Sequence, residues 1–143
     1  ADIQVKPKVI KTDGRFIAYA DGTVLDTKTN LMWASKGNGF NVNWYGANNY
    51  CENYRVGGHM DWRLPTIKEL ETLFDINKPQ IIGGGMFKVN HTKLIKLDWH
   101  QYWSSDVKGE CNYFFNFENG QIMCFEAHLN WDSARALPVR SVK

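Results

Sequence analysis

A catalytic or metal site in this 143-residue chain would have to be built from four histidines, three cysteines and a scatter of carboxylates. His59, His91, His100 and His128 share no ligand spacing of the HxxxH kind, and none of them sits beside a pair of cysteines. Cys51, His59 and Asp61 lie close enough in sequence to suggest a thiol nucleophile. Cys51, however, falls on the apolar face of a predicted helix, where a buried neutral thiol is inert. Trp103-Ser104-Ser105 lacks the glycine pattern of a nucleophile elbow and a base at a known spacing, so its hydroxyls are expected to make structural hydrogen bonds around a structural Trp103. The expectation from these residues is a protein that is not an enzyme and that carries no cofactor and no metal.

Binding chemistry is better represented. Between Lys78 and His100, Lys78, Lys88, Lys93 and Lys96 stand against Asp98, a formal charge of +3 in a chain whose total is only +2. His91 and His100 would add to that charge below neutral pH, and Trp99 offers a ring on which the face of a sugar can stack. Lys88, His91, Lys93, Lys96, Trp99 and His100 are therefore the candidate ligand-binding residues. A cationic segment beside an aromatic suits a sulfated or acidic polysaccharide, whose charges are dense and exposed. The competing reading is that the lysines keep a long loop soluble while Trp99 packs beneath it. Arg55 and the loop from Asn41 to Tyr45 are secondary candidates.

These side chains need a frame, and the run GGHMDWRLPTIKELETLF, from Gly57 to Phe74, supplies its centre. Gly57 and Gly58 can adopt the positive φ that ends a helix, Pro65 sets φ ahead of the next one, and Thr66 with Glu69 reads as a capping box. Trp62 and Arg63 sit in the corner between, where a large ring and a guanidinium are expected to be structural, each fixed by partners. Asn43 can cap a helix with Trp44, Ala47, Tyr50, Cys51 and Tyr54 on its apolar face, and a second helix runs from Ile67 to about Asp75. Both are short and must be stabilised by packing on a sheet.

Strands are expected over 15–20, 23–26 and 31–34, with Trp33 facing inward, and again over 101–106, 112–118, 121–127 and 135–142. Asn119-Gly120 is the strongest hairpin signal in the chain. Residues 1–12 read as an extended arm or edge strand ahead of a single domain over 13–143, and 77–100 as a long loop without clear periodicity. Arg140 is expected to be structural, pairing with Asp61 or Asp106 to hold the last strand to the corner. The result is an α+β domain.

Composition is consistent with this. The chain holds six Trp, six Tyr, eight Phe and twelve Gly, a mixture that suits irregular loops pinned by rings. A charge of +2 does not point to nucleic acid, and no apolar run approaches a membrane span. The first residue is Ala1 rather than methionine, as expected of a mature end left by a signal peptidase or of a trimmed boundary. Cys51, Cys111 and Cys124 are compatible with one disulfide and a free thiol, or with none.

DGTVLDTKTNLMWA, ANNYCENYRVGGHMDWRLPTIKELETLFD, YWSSD, FNFENGQI and the closing PVRSV together resemble, in order, the bacterial domain found at the C-terminus of the collagen-like adhesin Lcl. The resemblance implies a C-type-lectin-like fold, related in shape to the formylglycine-generating enzymes, with two short helices on a twisted antiparallel sheet and long irregular loops. It implies a secreted, periplasmic or cell-surface location and recognition of polysaccharide, with glycosaminoglycan the ligand class. A subunit or tip of a surface fibre, or a homo-oligomer, is the alternative, with the N-terminal arm adding a strand to a neighbour. Many relatives place a cysteine where this chain has Pro138, which leaves Cys111 and Cys124 as the possible disulfide and Cys51 reduced. A two-residue loop at Asn119-Gly120 would set Phe115 opposite Cys124, so the bridge would require Cys111 to lie off the strand. The cysteine motif of the related oxidases is absent. Asn130-Trp131-Asp132 superficially resembles the ligands of calcium-dependent lectins, but the order differs and the partner loop is missing, so no calcium site is expected.

Overall fold

A computed structural model of the chain describes residues 6–75, 79–82, 87–90, 92–126 and 131–142. It is an α+β fold with two short helices. Strands β1 (Val9–Asp13), β2 (Phe16–Tyr19), β3 (Thr23–Asp26) and β4 (Leu31–Ala34) form an antiparallel meander, and β10 (Val139–Ser141) closes it in the order β1-β2-β3-β4-β10. β7 (Gln101–Lys108), β8 (Cys111–Asn116) and β9 (Ile122–Glu126) make a second antiparallel sheet. A two-stranded hairpin, β5 (Pro79–Ile82) with β6 (Phe87–Asn90), lies within the segment that sequence alone reads as loop.

The second sheet is buried on both faces where the first half of β7 meets the second half of β8, which explains the consecutive aromatics there, while β9 is largely exposed. Tyr102 and Phe115 join Trp33, Val24 and Leu70 in the larger core, while their neighbours Trp103 and Phe114 point the other way, into a smaller core with Ala47 and Cys51. Successive strand residues face opposite sides, so YW and FF each serve two layers. α1 (Trp44–Glu52) packs on β7, and α2 (Ile67–Glu71) packs on β7 and β8.

Both helices begin as their sequences dictate. The Asn43 side chain accepts from the Gly46 N–H at 2.8 Å, and Thr66 and Glu69 form the complete capping box. α2 ends at Glu71 rather than near Asp75; the next turn tightens, with Leu73 and Phe74 donating to the carbonyls three residues back. The last strand is likewise shorter than expected: Pro138 has no N–H to offer a ladder, and only Val139–Ser141 joins the sheet.

Cys111 and Cys124 are joined by a disulfide, with Cα atoms 5.6 Å apart. Contrary to the two-residue loop expected at Asn119-Gly120, Phe115 pairs with Ile122 and Tyr113 with Cys124. Phe117 is drawn into the core and lengthens the turn, with Asn116 N–H donating to the Gln121 carbonyl. The bridge is therefore diagonal across one face of the hairpin, and Cys111 is the first residue of β8 rather than off the strand. Among the described residues no helix is long and apolar enough to cross a membrane.

Candidate functional site

The corner is structural in every contact described. Trp62 is buried, donates its Nε1–H to the Val56 carbonyl at 3.0 Å and meets the Tyr54 ring edge-on at 5.0 Å between centroids. Arg63 forks onto both carboxylate oxygens of Glu69, at 2.7 and 2.8 Å, while its backbone exchanges two hydrogen bonds with Val139. Burial alone would raise the Glu69 carboxyl, but the Arg63 fork and the Thr66 N–H outweigh it and hold the group below its ordinary value. Arg140 pairs with Asp61 through Nε at 2.6 Å and Nη2 at 3.2 Å. Asp106, its other candidate partner, instead accepts from the Ile67 N–H at the start of α2.

The candidate nucleophiles are absorbed in the same way. Cys51 is fully buried, and burial pushes its thiol far above the ordinary value. The Ser104 hydroxyl donates to the Tyr113 carbonyl and accepts from the Asp106 N–H, and Trp103 donates to the Val42 carbonyl at 2.9 Å. No group of three or more His, Cys, Asp or Glu side chains is gathered for a metal among the described residues. Asn130 lies outside those residues, whereas Trp131 stacks on Phe125 at 4.6 Å, against the edge of the smaller core.

Of the basic segment, the side chain of Lys88 lies outside the described residues, as do Lys78 and His91. The stretch 92–98 is not loose. Thr92, Ile95 and Leu97 are buried while Lys93, Lys96 and Asp98 are exposed. Thr92 is tied to the Asp13 carboxylate at 2.6 Å, and the Lys96 N–H donates to the Ser35 carbonyl at 2.7 Å. That last contact is a parallel bridge between Lys36 and Lys96, which brings a third exposed lysine beside the segment. Lys36 was not among the sequence candidates, because nothing local marks a residue whose role arises from a contact sixty positions away. Lys36 and Lys96 edge a cleft of about 370 Å³ whose other walls include Tyr19, Ser35 and Leu94. None of the three lysines has a carboxylate partner among the described residues.

Trp99 and His100 are held differently. Trp99 donates its Nε1–H to the Ser133 carbonyl at 2.9 Å, and the Arg135 guanidinium lies 5.4 Å from its ring centre. Arg135 in turn pairs with Asp98 at 2.8 Å and donates to the Asn41 side chain at 2.8 Å. A ring half-buried and already covered by a guanidinium is a poorer sugar platform than its sequence position suggests. His100 packs against Trp99 at 4.5 Å, and burial lowers its pKa, so it gains charge only at more acidic pH than an ordinary histidine. Among the described residues, the large rings that face solvent are Phe40 and Tyr45, in and just after the Gly/Asn loop. Gly37 lets that loop lie flat, since a Cβ there would stand 2.9 Å from the Ala136 carbonyl oxygen.

The fold and these contacts define a small α+β domain with two short helices. A family model described as the Lcl C-terminal domain matches residues 22–140, and the chain belongs to that family. No curated protein and no solved structure matches it.

Proposed function

We propose that this is a noncatalytic, exported binding domain that recognises an extended, anionic polysaccharide such as a sulfated glycosaminoglycan through the face carrying Lys36, Lys93 and Lys96. The observation that carries the reading is that these three lysines are exposed, without described carboxylate partners, Lys93 and Lys96 on backbone fixed by buried Thr92, Ile95 and Leu97 and Lys36 on the segment bridged to it. A positioned cationic face loses little side-chain support on binding and matches a polymer of repeating charges. The Lcl adhesin resemblance supports carbohydrate as the ligand class and a C-type-lectin-like label for the fold. The disulfide supports export, because such bonds persist in oxidising compartments.

The test is affinity for heparin across a salt series, comparing the parent with a Lys36→Ala/Lys93→Ala/Lys96→Ala variant. Lysines at a densely anionic surface are worth about 1 kcal/mol each, so the triple variant is expected to bind on the order of 100-fold more weakly. Its melting temperature should be nearly unchanged, and parent affinity should fall as salt rises. Unchanged affinity with a lowered melting point would make the segment scaffolding. The second reading, strand addition to a neighbour, is favoured by the exposure of Val9 and Ile10 on β1, and binding of that kind is indifferent to salt.

A further inference from the structure

We infer that the cleft between the outer face of the five-stranded sheet and the Gly57–Asp61 corner is a second binding site, taking a single carboxylate-bearing sugar residue. It meets the lysine face at Tyr19, which lines both clefts, but shares none of its lysines, and it rests on the carbohydrate reading only for the choice of ligand. Strand register builds the floor. Thr12, Ile17, Leu25, Met32 and Arg140 are successive cross-strand partners, so they form one row on the outer side of all five strands. Leu25 and Met32, with Val142, make the cleft floor apolar, and Arg140 ends the row with a guanidinium.

The cleft is about 910 Å³, within the range of small-molecule sites and roomy for one sugar ring. Its walls supply the remaining chemistry: Tyr19, a half-buried ring, Lys6 from the N-terminal segment, and Asp21 and His59 from the two turns that face each other. The corner cannot slump into this space. Asp61 holds Arg140 by Nε and Nη2, and Gly57, at φ 74°, already lies so close to Thr23 that a Cβ would stand 2.9 Å from its methyl group.

Arg140 marks what the cleft would take. Two of its guanidinium nitrogens are committed to Asp61, but Nη1 is aimed at the Met32 thioether, 3.7 Å away, a weak acceptor. A donor so placed above an apolar floor is matched by a ligand carboxylate, with Lys6 as the second cation. The apolar face of a pyranose suits Leu25, Met32 and the Tyr19 ring, and Asp21 can accept from a ring hydroxyl. Asp21 already receives the Thr23 N–H and hydroxyl, at 3.1 and 2.6 Å, which fixes its orientation. Around the cleft the charges of Arg140 and Lys6 stand against those of Asp61 and Asp21, so a ligand carboxylate would be selected by the placement of the Arg140 Nη1 and of Lys6 rather than by net charge.

The test is titration of the full chain with glucuronate, glucose and methyl glucuronate, followed by NMR or calorimetry. Glucuronate should bind at least about tenfold more tightly than either uncharged sugar. Val142→Glu places a negative charge in the cleft and should abolish glucuronate binding; because Val142 also packs against the larger core, heparin binding retained by the same variant shows that it is folded. Arg140→Lys, which keeps the charge but loses the fork, should weaken it about tenfold. The lysine-face triple variant should bind glucuronate as the parent does, and Val142→Glu should still bind heparin, so loss of either activity alone separates this site from the lysine face. No glucuronate binding at about 10 mM, equal binding of the three sugars, or binding undiminished in Val142→Glu would overturn the proposal.

Discussion

Replacing Trp62 with alanine tests the corner that walls the second cleft. The ring is 3% exposed, lies edge-on to Tyr54 and near His59, and is the donor to the Val56 carbonyl. Removing a buried Trp costs about 3–5 kcal/mol, through lost burial and the cavity left behind. The stranded Val56 carbonyl belongs to that sum, because it faces the vacated space. A domain of this size has roughly 5–15 kcal/mol in total, so the variant should fold but melt about 10–20 °C lower. Trp62→Phe keeps most of the ring and loses the hydrogen bond, and should fall about 1–2 kcal/mol short of the parent. Urea unfolding followed by circular dichroism measures both differences. A Trp62→Ala loss below about 1 kcal/mol would refute the argument, because a ring in this position cannot then be what holds Gly57–Asp61 against the sheet.

Three further outcomes follow from the same contacts. The Glu69 carboxyl is held below its ordinary value in the fold, so its contribution is fully present above the unfolded-state value and is lost as pH falls through the folded one. Glu69→Gln should therefore cost about 1 kcal/mol at neutral pH, discounted for the partial exposure of Arg63, and flatten the acid limb of a stability–pH curve; an unaltered acid limb would count against the fork. Cys51 should resist thiol reagents in the native protein and react once the chain unfolds, as a thiol titration with and without denaturant would show. Replacing Cys111 and Cys124 together with serine should lower stability by about 2–3 kcal/mol in urea unfolding, the loop between them being 13 residues in sequence separation.

What sequence reveals here divides by distance along the chain. The Asn43 cap, the Thr66–Glu69 box and the inward Trp33 are local consequences of residue type and spacing, and each is found where those predict. That Arg63 needs a partner is legible, but its partner turns out to be Glu69 of the same capping box, a double use of one carboxylate that no spacing rule demands. The hairpin register slips by two because burying Phe117 outweighs the tight Asn-Gly turn. Lys36 joins Lys96 only through a long-range bridge, and the Thr12-to-Arg140 row exists only once all five strands are in register. Local chemistry is thus written in the sequence, while the surfaces that bring distant cations and apolar residues together are written in the pairing.

The bonds between Arg63 and Val139 also limit how copies of this domain can join. Val139 turns its N–H and carbonyl away from β4, and both are already taken by the Arg63 backbone. Among the described residues β1 pairs only with β2, whereas the margin along β10 is blocked at Val139 by Arg63. Linear growth of a filament by continuing that sheet requires two open margins; here, association through β1 would terminate at a pair.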